Sequence, residues 1–154
     1  MNLETTTTLS RETLDGVQSL ITANIDSGKG FASAAEQIEN KDIASYFRRC
    51  GMRREAFANE LQRIVGVNGE TPTTSGSVTG TARRWWLDLR GTIQNGDEHA
   101  VLAEAERAED AAKARYEKVL KHTAGSPLNE LLHRQYASVK QDHDTIRDMR
   151  DARA

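Results

Sequence analysis

The chain is poor in the residues that interrupt or cross-link a fold. Its 154 residues include two prolines, one cysteine and an aromatic fraction of only 5%. One cysteine, Cys50, excludes an intramolecular disulfide, so no covalent staple holds the fold. No apolar run approaches the ~20 residues that span a bilayer. The Thr-rich start, Met1 to Ser10, has neither the basic region nor the apolar stretch of a signal peptide. An excess of charge of one sign is also missing. Lys and Arg number 21 against 23 Asp and Glu, a net charge of -2. No basic field is there to hold phosphates, which argues against nucleic acid as a partner. A cytoplasmic location is the expectation left by these absences.

What is present is helical periodicity. Hydrophobic residues make up 37% and charged residues 29%, a water-compatible composition that can bury one core. Residues 1–9 read as a flexible tail and residues 10–154 as a single domain. Ser10 or Thr8 can cap a first helix over roughly 11 to 39, whose stripe is Leu14, Val17, Ile21, Phe31, Ala35 and Ile38. Asn24 and Gly28 fall on the same stripe. Asn40 marks a break, and Asp42 is the expected cap of a second helix carrying Ile43, Phe47, Cys50, Arg54, Phe57, Leu61 and Ile64. Gly66 is its expected stop. Residues 66–77, rich in Gly, Thr and Ser, read as a loop. A short helix over about 78 to 94 follows, with Val78, Ala82, Trp85, Leu89 and Ile93 inward. Asp97 can cap the next, about 98 to 123, with Leu102, Ala105, Glu109, Ala112, Tyr116 and Val119. The last, about 128 to 152, carries Leu128, Leu132, Gln135, Val139, Asp142, Ile146 and Met149.

The four longer helices, at about 25 residues each, would be about 37 Å long. Joints one–two and three–four are short and make antiparallel hairpins. The middle connection is long enough to return along the whole bundle. The expected class is therefore all-α, a ferritin-like four-helix bundle of two hairpins with a long crossover carrying an extra short helix.

Each long helix breaks its apolar stripe near the middle, at Asn24, Arg54, Glu109 and Asp142. Heptad position and similar height predict that the four meet in one central layer. A buried charge is costly unless paired. One guanidinium, with five donors in a planar fork, can serve two carboxylates. Glu106 lies one turn before Glu109 and His143 beside Asp142, so both border the layer.

The stretches IDSGKGFASAAE (25–36), RREAFANELQ (53–62), SGSVTGTARRWWLDL (75–89), AEAERAEDAAKARYEKVL (103–120) and HRQYASVKQDHDTIRDMRD (133–151) carry a resemblance. The chain resembles a bacterial domain-of-unknown-function family of ferritin-like four-helix-bundle proteins, over nearly all of residues 10–152. The resemblance implies the fold but no agreed activity. The wider ferritin and rubrerythrin group binds two irons through a Glu on helices 1 and 3 and a Glu-x-x-His on helices 2 and 4. Here the helix 1 position reads Asn24, the helix 2 motif reads Arg54-Glu55-Ala56-Phe57, and the helix 4 motif reads Lys140-Gln141-Asp142-His143. Only Glu109 (or Glu106) and His143 remain as ligands of that pattern, too few for two irons. The expectation is that Arg54 supplies the positive charge that metal supplies elsewhere.

Other signals have bland readings beside sharp ones. His143 with Asp142, Glu109 and Glu106 can be read as a mononuclear iron, manganese or zinc site, or as a core-edge imidazole paired with a carboxylate. Trp86, Arg83 and Arg84 form a candidate partner surface, whereas Trp85 is expected to pack the crossover helix. Cys50 on the buried stripe reads as inert. The favoured function is a non-enzymatic bundle acting by self-association or partner binding, with stress physiology as its setting and no cofactor. The alternative is a metal-binding bundle with a reduced site.

Overall fold

The computed structural model of the chain describes residues 4–76 and 80–153, with side chains outside residues 80–86. The described residues form five helices: α1 (Arg11–Gln37), α2 (Lys41–Val67), α3 (Gly80–Gln94), α4 (Glu98–His122) and α5 (Asn129–Asp151), with no strand among them. The expected positions Val78, Ala82 and Trp85, and the expected partner-surface residues Arg83, Arg84 and Trp86, fall outside the described side chains.

Local chemistry sets the helix ends. Ser10 Oγ accepts from the Thr13 N–H at 3.2 Å and starts α1. Asn40, read from sequence as a break, is also the cap of α2. Its Oδ1 accepts from the Asp42 and Ile43 N–H groups at 3.0 and 3.1 Å. Asp42, the expected cap, lies two residues further on, within the first turn, where its charge suits the helix dipole. Asp97 caps α4 by accepting from the Ala100 N–H at 3.1 Å. α2 runs one residue past Gly66, and Gly69 makes the turn at φ 79°.

Contacts at the two ends give the helix directions. Asn40 Nδ2, at the α1–α2 joint, reaches Glu98 at 3.2 Å, and Arg153 Nε reaches Glu98 at 3.0 Å. At the opposite end His122 Nδ1 lies 3.1 Å from Glu12 Oε1. α1 and α5 therefore run one way, α2 and α4 the other. Two antiparallel hairpins are joined by a crossover that bears α3, as the lengths of the joints predict. Leu89 of α3 is buried against the upper core formed with Phe31, Phe47, Leu102 and Ile146. A lower core gathers Val17, Ile21, Leu61, Tyr116, Leu132 and Val139. Full burial of each such aliphatic side chain contributes about 1.5–3 kcal/mol. Polar side chains separate the two cores.

α1 and α2 cross closely. A Cβ on Gly51 would stand 3.1 Å from the Gly28 carbonyl oxygen and 3.3 Å from the Ala32 nitrogen, both backbone atoms that cannot turn aside. Residues 4–9, expected as part of a flexible tail, are fastened to the base of the bundle. Leu9 is buried with the lower core, its N–H donates to Asn68 Oδ1 at 2.9 Å, and Asn68 Nδ2 donates to the Thr6 carbonyl at 2.9 Å. The physical reason is one apolar side chain in an otherwise polar segment.

Candidate functional site

Arg54 projects from the middle of α2 into the bundle centre and is fully buried, at 0% exposure. Its Nη1 donates to Glu109 Oε1 at 2.9 Å, and its Nη2 donates to Glu109 Oε2 and, at 3.4 Å, to Asp142 Oδ2. Its guanidinium carbon lies 5.8 Å from the Phe31 ring centroid. Helix α4 thus supplies one carboxylate and α5 another, and a single cation joins three of the four long helices. Burial opposes the Arg54 charge, but Glu109 and Asp142 outweigh it and raise the guanidinium pKa above its ordinary value. Glu109 is pulled both ways: burial, the stronger influence, raises its carboxyl pKa, while the Arg54 charge and hydrogen bonds lower it.

Two further members of this layer gave no sign as core positions. Arg53 Nη2 donates to Asp142 Oδ1 at 2.6 Å, and Tyr46 Oη donates to the same oxygen at 2.9 Å. Arg53 also lies over the Tyr46 ring at 5.8 Å. Their only trace in the sequence is a seven-residue spacing along the flank of α2. With Arg53 counted, two guanidiniums face two carboxylates and the layer is neutral.

Asn24 is buried but joins a different rung. Its Nδ2 donates to the Leu20 carbonyl at 2.9 Å and to Tyr116 Oη at 2.8 Å. Tyr116 in turn donates to Gln135 Oε1 at 2.8 Å, and Gln135 Nε2 donates to Glu60 Oε1 at 2.8 Å. The expected single layer of four is therefore two layers. Both Asn24 amide hydrogens are taken on this rung, by the Leu20 carbonyl and the Tyr116 hydroxyl.

The expected metal set of Glu106, Glu109, Asp142 and His143 divides in the same way. Glu109 and Asp142 turn inward to Arg54. Glu106 and His143 turn to the α4–α5 seam, where Asp110 joins them, and the three offer ligand atoms within 4.8 Å of one another. His143 Nε2 lies 2.8 Å from Asp110 Oδ1 and 3.6 Å from Glu106 Oε1. Its Nδ1 lies 3.0 Å from Asp144 Oδ1, a contact that holds the Asp144 carboxyl below its usual pKa. Arg150 Nη1 binds the other Glu106 oxygen.

Cys50 sits in the upper core beside the layer. Burial, with the nearby Asp142 and Glu109 charges, pushes its thiol up to about 12. Such a thiol is a packing group rather than a nucleophile. A cavity of about 300 Å³ opens at the end of the bundle, lined by Ile38, Asn40, Ile43, Ile93, Glu98 and Val101. Its lining shares no residue with either polar cluster, and Glu98 there is already held by Arg153 and Asn40.

These features define a helical bundle whose centre is an ion-pair layer rather than an unbroken apolar seam. The model of the family described as Domain of unknown function (DUF2383) matches residues 12–122, and the chain belongs to that family. The matched segment takes in α1 to α4, with Arg54 and Glu109; α5, with Asp142 and His143, lies beyond it. No curated protein matches the chain.

Proposed function

We infer that this protein is a non-enzymatic bundle of ferritin-like type that acts through its surface, by self-association or by binding a partner. One observation carries the reading: the fully buried Arg54 guanidinium, bidentate on Glu109 and shared with Asp142. Glu109 is the central carboxylate that matches the di-iron pattern, and both of its oxygens are taken by Arg54. A fixed cation in contact with both repels a second cation placed beside it, the more so away from water. The same layer engages all four carboxylate oxygens and leaves neither group free for acid–base work. With its centre neutralised and closed, the bundle offers its outer helical faces for function.

The test is metal content and size together. Protein purified without chelator, analysed for iron and manganese and run on light scattering, is expected to hold no central metal pair and to report its assembly state. Two ions per chain, abolished by Glu109→Gln, would overturn the reading.

A further inference from the structure

The central layer is closed, but the seam between α4 and α5 is open to water. We propose that Glu106, Asp110 and His143 form a mononuclear site for a divalent cation of the zinc class. The site lies apart from the Arg54 layer and goes beyond the function inferred above.

Helix geometry builds it. Glu106 and Asp110 are four residues apart on α4, so their side chains share one face. His143 faces them from α5. The imidazole is mostly buried, at 8% exposure, and its Nε2 points at both carboxylates. Groups outside the triad orient two of its members. Asp144 Oδ1, 3.0 Å from Nδ1, can accept the ring proton there and leave the Nε2 lone pair facing the carboxylates. This is the carboxylate–histidine arrangement that supports metal-bound imidazoles. Arg150 takes Glu106 Oε2 and leaves Oε1 turned to His143.

The distances from the imidazole suit a small ion. Tetrahedral bonds of about 2.0–2.1 Å put ligand atoms about 3.3–3.5 Å apart. Nε2 to Glu106 Oε1, at 3.6 Å, already fits. Nε2 to Asp110 Oδ1, at 2.8 Å, must open by roughly half an ångström. Asp110 can move that far, because its side chain is 59% exposed. That exposure also leaves a coordination position for water. One imidazole nitrogen and two carboxylate oxygens favour zinc or cobalt over magnesium or calcium, which seek six or more oxygens. Binding opens the short Asp110–His143 contact, releases any proton shared there to water and replaces it with metal–ligand bonds.

The probe is Co²⁺, followed by Zn²⁺ competition, on the chelator-treated full chain. The expected result is one Co²⁺ per chain with visible d–d absorption, displaced by Zn²⁺. His143→Gln and Asp110→Asn should each weaken binding at least ~10-fold, and Asp144→Asn, one shell out, by about 10-fold. His122→Gln removes an exposed imidazole–carboxylate pair at the other end of the bundle and should change nothing. Affinity unchanged by His143→Gln, or by the surface variant Asp110→Asn, overturns the proposal. So does the absence of d–d absorption at millimolar Co²⁺. Binding lost with Glu109→Gln but kept in His143→Gln would place the ion in the central layer, overturning this site and the function reading alike. Loss with both His143→Gln and Asp110→Asn, and not with Glu109→Gln, upholds this site and leaves the central layer metal-free, as the function reading requires.

Discussion

Glu109 and Glu106 stand three residues apart on α4, yet they live under different electrostatics. Glu109 is sealed at 0% exposure against a guanidinium. Glu106, at the rim, divides its oxygens between Arg150 and His143. On α5 the neighbours Asp142 and His143 part in the same way, one inward and one to the seam, because successive helical residues turn by about 100°. Both regions mix acids with basic partners. What differs is water. In the sealed layer a charge that loses its partner has nothing to replace it. At the rim, solvent can screen the loss and a cation can exchange with a proton. Similar residues therefore serve stability in one place and can serve binding in the other.

Removing the central cation should give the largest effect. Arg54→Leu strands Glu109 in the core and should cost about 3–5 kcal/mol, read as a lower urea midpoint. Arg54→Leu with Glu109→Leu should recover much of that loss, because Asp142 keeps Arg53 and Tyr46. An unchanged midpoint in the single variant would mean that the guanidinium is not sealed, and the contrast between the regions would collapse.

A smaller effect should follow from alkali. Burial holds the Cys50 thiol, ordinarily 9.0, and the Tyr116 hydroxyl, ordinarily 10.0, each up to about 12. Both stay neutral in the folded chain at a pH where the unfolded chain ionises them, so the folded state then binds more protons. Their contribution is complete below pH 9 and is lost as pH rises from 9 through about 12. Urea midpoints should be level to pH 9 and then fall. A midpoint still level at pH 11 would show that solvent reaches these groups. The smallest effect belongs to the rim. Asp110→Asn should leave the metal-free urea midpoint within experimental scatter, because its exposed carboxylate is already solvated. A large drop would make the seam structural and erase the distinction.

The helical bundle was legible because its signal is periodic and local. Stripes at three- and four-residue steps, glycine stops and the Ser10 and Asp97 caps all act within a turn or two. Arg54 was legible for a related reason, since a charge at a heptad core position stands out against its apolar neighbours. Asn24 lies on the inward face as its heptad position implies, but heptad position does not choose its partners, which are the Leu20 carbonyl and the Tyr116 hydroxyl. Arg53 and Tyr46 were missed because a flank position is ordinarily solvent, and only the approach of α5 turns it into a partner for Asp142. Asp42 was preferred to Asn40 as a cap because both are good capping residues. The choice fell to where the backbone leaves its extended conformation.

The sequence by itself determined five amphipathic helices, their short and long joints, and a cation held among acids on the inward faces. Those properties follow from residue type and from spacing along one chain. Tertiary structure decided which acid meets the cation, which polar groups form the second rung with Tyr116, and that Asp110 rather than Glu109 or Asp142 faces His143. Such pairings depend on the relative rotation and rise of helices distant in sequence. A shift of one residue in that register exchanges a sealed ion pair for an open ligand.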